Sequence, residues 1–367
     1  MSSVENVEIF EDTKRLCETN GKIKDALAQS VKNQKLILEG MELSVVDKAR
    51  FTDEAKIVVS TKRTFEAAAG YAGQNVAVHN FASATNPGGG VTRGSSAQEE
   101  CLCRCSDLYF CLNVPEMMQG FYYPHRNAKN PINNADIIYT PDVTVFKTDT
   151  NTPKLMDEKD WYDVDVITCA APNLRERPSN RFNLGNGDRA VKVSDRKLLE
   201  IHKKRLTRIL DVAALNGNEV VILGAFGCGA FQNKPEVVAR AAKEAMADYL
   251  HAFKTIEFAV YCPPIDRTMK SGEIAQAMPK GNAESLRQKD RVKKDTEEKQ
   301  PRNKKSGAQK RKNSGSAVFC CIFQSEPCSA GKIPQEMVFF FSKRCGCVIH
   351  IVQTIRRMER EKRKWMH

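Results

Sequence analysis

Residues 76–100 read VAVHNFASATNPGGGVTRGSSAQEE. The apolar and β-branched residues from Val76 to Phe81 predict a buried strand. A helix is expected to open near Ala97, so the polar stretch between them is a strand-to-helix loop. Gly88, Gly89 and Gly90 remove every β-carbon from three consecutive residues of that loop, which lets backbone amides approach a ligand's phosphates closely. Gln98, Glu99 and Glu100 fall in the first turn of the helix, where carboxylates sit well with the helix dipole. Each feature also has a plainer explanation. A glycine run is often only a flexible loop, and an acidic first turn is common in helices that bind nothing.

The same alternation extends in both directions. Residues 56–60, 136–146, 163–171, 219–223 and 256–261 read as strands, and residues 97–112, 195–215 and 235–253 as helices. Asn233 reads as a helix cap and Pro235 as a first-turn proline. Strands and helices in this order predict an α/β fold, a mixed sheet sandwiched between helical layers. Residues 1–50 read as a helical N-terminal extension, 51–268 as the principal domain, and 269–367 as a basic, largely disordered low-complexity tail with no assigned fold. No internal repeat suggests a solenoid.

A second loop, LGAFGCGAFQN at residues 223–233, joins the strand 219–223 to the helix beginning near Pro235. A loop in that position is a natural diphosphate cradle. The dinucleotide-binding pattern fails, because Gln232 stands where the third glycine after Gly227-x-Gly229 belongs. The loop is either a phosphate loop of another kind or a tight turn without a ligand.

Composition bounds the remaining possibilities. The net charge of +12 divides unevenly. Residues 280–367 carry 22 Lys plus Arg against 9 Asp plus Glu, or +13, which leaves 35 against 36, or −1, for residues 1–279. A nearly neutral domain is not built to track nucleic acid on its own surface. The start lacks the apolar core of a signal peptide, and no stretch reaches the roughly 18 apolar residues of a membrane helix. Thirteen cysteines in such a chain read as reduced thiols. Cys101, Cys103 and Cys105 lack the spacing of a structural zinc site and read as packing residues.

Taken together, GGG-x7-QEE, the approach NFASATNPGGG and the second loop GAFGCGAF resemble the microbial-type poly(ADP-ribose) glycohydrolases of the macrodomain superfamily. The resemblance covers roughly residues 1–268. It implies a macrodomain-like three-layer α/β/α sandwich and hydrolysis of the ribose–ribose O-glycosidic bonds of poly(ADP-ribose), a chemistry that needs no metal and no cofactor.

Carried over residue by residue, it makes Glu100 the catalytic acid/base, which requires a carboxyl that still holds its proton near neutral pH. Glu99 is expected to hold ribose hydroxyls. Gly88, Gly89 and Gly90 would line the diphosphate and distal ribose, beside Gln98 of the signature. Gly227, Cys228, Gly229 and Ala230 would offer amides to the diphosphate, and the Phe231 ring would pack on the distal ribose. Asn80 and Asn86 are candidates for adenine or ribose hydrogen bonds, or are turn formers. The run Phe121-Tyr122-Tyr123 supplies either a stacking ring or core packing.

Three other readings compete. A mono-ADP-ribosyl-protein hydrolase differs in the leaving group tolerated at Glu100. A non-catalytic ADP-ribose reader keeps the glycine loops but lacks the glutamate pair. A nucleic-acid binder would act through the basic stretch 280–312, where Lys310-Arg311-Lys312 is either a nuclear localisation signal or a solvated linker. The partners expected are poly(ADP-ribose) or ADP-ribosylated proteins, with weak nucleic-acid contact through the tail and no membrane, in a cytoplasmic or nuclear setting.

Overall fold

The computed structural model describes residues 2–180 and 184–261. The expectations for the tail lie outside them. Two helices open the chain, α1 (Ser3–Thr19) and α2 (Gly21–Asn33). Ser2 starts α1 with a reciprocal capping box, its hydroxyl accepting from Glu5 N while Glu5 accepts from Ser2 N.

Seven strands follow in one sheet: β1 (Lys35–Ile37), β2 (Lys56–Ser60), β3 (Val76–Ala82), β4 (Ile137–Val145), β5 (Tyr162–Ala170), β6 (Val220–Leu223) and β7 (Thr255–Ala259). Their order is β1-β4-β5-β3-β6-β7-β2. The pairs β1·β4 and β4·β5 are antiparallel and the remainder parallel, so the sheet is mixed, as expected.

Alternation along β3 shows how the sheet is buried on both faces. Ala77 packs into one apolar cluster with Leu206, Ile209 and Leu210 of α8 (Asp195–Leu215) and Val238 and Ala241 of α9 (Pro235–Met246). Val76 and Val78 point the other way, into a cluster with Phe10 of α1, Phe65 of α3 (Thr64–Ala68), Leu102 of α4 (Gln98–Cys105) and Leu108 of α5 (Leu108–Leu112). Two short helices, α6 (Pro115–Met117) and α7 (Tyr123–Ala128), complete that layer. The result is the three-layer sandwich that the period-two pattern of buried strands requires.

Three details depart from expectation. The N-terminal extension is helical but ends in the edge strand β1, three residues too short for a periodic signal. The helix expected over 97–112 breaks at Ser106, which is extended. There Cys105 O accepts from Phe146 N at 3.1 Å and Lys147 N at 3.0 Å, and Asp107 accepts from Thr144 N, so contacts with the end of β4 replace the helical ladder. Asn233 does not cap α9. Its amide instead ties the second loop, donating to Pro172 O at 2.7 Å and Gly227 O at 3.0 Å while accepting from His202.

The extension also braces the rest. Asn6 Nδ2 donates to Gly94 O at 3.0 Å, and Thr13 Oγ1 donates to Arg104 O at 2.7 Å. Among the described residues no helix is long and apolar enough to cross a membrane.

Candidate active site

The C-terminal ends of β3, β5, β6 and β7 open on a cavity of about 420 Å³. This is the edge of a parallel sheet where ligands are received. Its walls bring together the two loops singled out above: Gly89, Gln98, Glu99 and Glu100 from one side, Gly227, Gly229, Ala230 and Phe231 from the other.

The start of α4 is keyed to the sheet by Gln98. Its Oε1 accepts from Phe81 N at 2.9 Å and its Nε2 donates to His79 O at 2.8 Å. One residue of a parallel neighbour makes that same pair of bonds. The side-chain amide thus continues the ladder where β6 ends at Leu223, and Thr64 Oγ1 takes its remaining proton at 3.1 Å. Gln98 therefore lines the cavity with its amide already committed to protein, a positioning role in place of the substrate contact expected of it.

Glu99 and Glu100 follow, both buried. Ser83 N donates to Glu99 Oε2 at 2.7 Å and Asn80 Nδ2 lies 3.4 Å from Oε1. Gly90 N donates to Glu100 Oε1 at 2.9 Å, while Glu100 Oε2 has no protein partner. Burial, and after it the charge of Glu100, pushes the Glu99 carboxyl well above the usual carboxylate range.

The glycine triplet serves these carboxyls more than a ligand. Gly89 N donates to Asn86 O and Gly90 N to Glu100 Oε1. Gly88 and Gly89 have φ of 63° and 59°. A β-carbon at Gly88 would meet the Tyr109 ring at 2.7 Å, and one at Gly89 would lie 2.5 Å from Glu100 Oε1. The amides of Gly89 and Gly90 are thus committed to protein and not to a diphosphate, and of the three glycines Gly89 lines the cavity.

On the second loop Cys228 N donates to Ala225 O at 3.0 Å, which removes it from the expected set of free amides. The N–H groups of Gly227, Gly229 and Ala230 have no partner among the described residues. No atom lies within 4 Å of the β-carbon position of Gly229, so that glycine keeps space open.

Asn80 and Asn86 do not face the main cavity. Asn80 is fully buried and holds Glu99 and Thr168. Asn86 ties the loop through Thr85, Leu184 and Arg126. Phe121 and Tyr122 are core residues, and Tyr123 is exposed away from the site.

Comparison with known proteins adds three findings. The family described as microbial-type PARG, catalytic domain, matches residues 4–148. The poly(ADP-ribose) glycohydrolase of Deinococcus radiodurans, solved in complex with ADP-ribose, is 30% identical, with 65% of this chain and 91% of that one covered at a TM-score of 0.53. The chain belongs to the microbial-type PARG family. The poly(ADP-ribose) glycohydrolase of Thermomonospora curvata, solved with the inhibitor ADP-HPD, is 29% identical, covers 72% of this chain and 94% of its own, and has a TM-score of 0.56. No curated protein sequence matches the chain.

Within this PARG domain, sequence reasoning missed two arginines of the cavity wall. Arg175 stands over the Phe231 ring, 5.5 Å from its centroid, held by Asn173 Oδ1 at 3.1 Å and Pro178 O at 2.9 Å. Arg63 stacks on Tyr261 at 4.0 Å and donates to Cys101 Sγ at 3.5 Å. The signal that finds Arg175 is its place just past the C-terminal end of β5. Arg63 has a similar place after β2.

Proposed function

We propose that the chain hydrolyses ribose–ribose O-glycosidic bonds of poly(ADP-ribose), releasing ADP-ribose, with Glu100 as the proton-transfer group. The observation that carries the assignment is the asymmetry of the pair. Glu99 has protein donors on both oxygens, whereas Glu100, which lines the cavity, is fixed through Oε1 and keeps a buried Oε2 with no partner among the described residues.

A bare buried carboxyl oxygen meets the need of glycoside cleavage. As the bond from the distal ribose carbon breaks, the electron pair leaves with the departing ribose oxygen, which takes the carboxyl proton. The positive charge on the sugar is met by water, whose proton returns to the carboxylate, so the residue ends as it began. A carboxyl oxygen that no protein donor occupies suits the first step, and one carboxylate oxygen held at a fixed place suits the second.

The cavity has the volume of a single nucleotide-sugar site. Gly227, Gly229 and Ala230 supply amides, Arg175 supplies charge for a diphosphate, and Phe231 supplies a face for the ribose. The acidic pair distinguishes this site from a reader of ADP-ribose, which has no bond to break. The basic charge beyond residue 280 supports a nuclear or cytoplasmic setting with weak nucleic-acid contact, as part of the same proposal.

The test is incubation of labelled poly(ADP-ribose), and in parallel an ADP-ribosylated protein, with wild type and Glu100→Gln. Wild type is expected to release ADP-ribose, and the variant to lose roughly 10²–10⁴-fold of that rate while still binding. Equal release by both would remove Glu100 from its role. Tight binding without release by wild type would make the domain a reader.

A further inference from the structure

A second hollow, of about 210 Å³, lies behind the glycine triplet. Gly89 is the residue it shares with the main cavity. No carboxylate lines it, and its polar wall includes Asn86, Arg93, Asn113 and Arg126. Arg126 is held in place, donating through Nε to Thr85 O and through an Nη to Asn86 Oδ1. Arg93 is exposed; its backbone N–H donates to Gly90 O, while its guanidinium has no hydrogen bond or ion pair among the described residues.

The shared residue sits at the chemistry. A β-carbon on Gly89 would lie 2.5 Å from Glu100 Oε1 and 3.1 Å from Glu99 Oε2. A bond broken by Glu100 is therefore broken beside Gly89. Polymeric substrate continues on both sides of that bond, and about 420 Å³ of main cavity holds one unit, not two. The unit on the far side must leave across a part of the rim with no side chain in the way.

We propose that the second hollow receives this departing unit, gripping the ribose and phosphate of the chain with Arg93 and Arg126. The inference rests on the glycohydrolase reading above and adds to it a preference for polymer over single ADP-ribose groups. Two guanidiniums without a competing carboxylate suit a diphosphate, whose oxygens they meet with paired N–H donors. The small volume suits part of a unit, as expected for a segment that is released with every turnover.

The test compares two substrates in the full chain: poly(ADP-ribose), and ADP-ribose carrying a small fluorogenic phenol in place of the next unit. Arg93 is exposed, so Arg93→Ala and Arg93→Glu should fold normally. The ratio of kcat/KM on polymer to kcat/KM on the phenol should fall about tenfold in Arg93→Glu and less in Arg93→Ala, and the salt slope of polymer binding should flatten by about one. An unchanged ratio in Arg93→Glu would overturn the subsite while leaving the glycohydrolase intact. A wild type inert on both substrates would overturn the glycohydrolase reading itself, and the subsite with it.

Discussion

Gly89 and Glu100 compete for one volume: the place a β-carbon would take at residue 89 is 2.5 Å from the Oε1 of Glu100. The glycine is there because the carboxyl is. Its φ of 59° adds a second reason, since the left-handed region disfavours any residue with a β-carbon.

Substitution should separate this glycine from its counterpart on the other loop. Gly89→Ala is expected to lower kcat by at least about 100-fold, by displacing Glu100 from the place its proposed proton transfer needs, and to cost about 1–2 kcal/mol of stability. Gly229→Ala meets nothing within 4 Å and should melt like wild type while raising KM, because the methyl occupies space left for substrate. Steady-state kinetics beside thermal melts distinguish the two. A Gly89→Ala protein with normal kcat would refute the shared volume.

Glu99 links the site to the pH dependence of folding. Burial and the neighbouring charge raise its carboxyl well above the usual range, so the folded protein keeps a proton that the unfolded chain gives up. Stability then falls as pH climbs past the ordinary carboxylate range of about 4, up to the pH where Glu99 ionises in the folded state. Glu99→Gln carries no such charge, and its amide can donate to Asn80 Oδ1, which is buried without a partner. The variant should melt above wild type at about pH 7, with the gap closing on acidification toward about pH 4. Melts across that range settle the sign, and a gap that widens at low pH would contradict it.

Arg175 is the charge of the second-loop wall. Burial disfavours its positive form, which an anion in the cavity compensates. Removing it as Arg175→Ala should weaken ADP-ribose binding by roughly 10–100-fold, the range of a charged hydrogen bond, with a much smaller change in kcat. Arg175→Lys should recover only part, because a lysine cannot reproduce the planar fork that also holds Asn173 and Pro178. Calorimetric titration with ADP-ribose measures the loss. Binding equal to wild type in the alanine variant would exclude Arg175 from the site.

The described residues that line the cavity fall between Lys62 and Tyr261. A chain ended after Thr268 is therefore expected to keep the kcat and KM of the full protein on ADP-ribosyl substrates. Loss of more than about tenfold would show that the basic segment takes part in turnover.

Much of the architecture was legible in local pattern. The buried runs at β3 and β5 and the long amphipathic α8 announce themselves by periodicity, and two glycine loops placed after strands pointed to the cavity. What local pattern could not convey depends on contacts distant in the chain. The break at Ser106 is made by β4, some forty residues on. The amides of Gly88 to Gly90 were expected to serve a phosphate, yet that of Gly89 turns back on Asn86 and that of Gly90 on Glu100, ten residues later. Gln98 looked like part of a binding signature and is instead a substitute for missing strand. Arg175 sits in a loop with no motif, and only the assembled sheet brings it over Phe231.

The borrowed ladder position of Gln98 has a thermal consequence. Because its amide completes the ladder beside β3, the carboxyls that follow are anchored to the part of the protein expected to melt last. Warming should therefore leave Glu99 and Glu100 aligned, so turnover should rise with temperature until the sheet itself gives way and then stop abruptly.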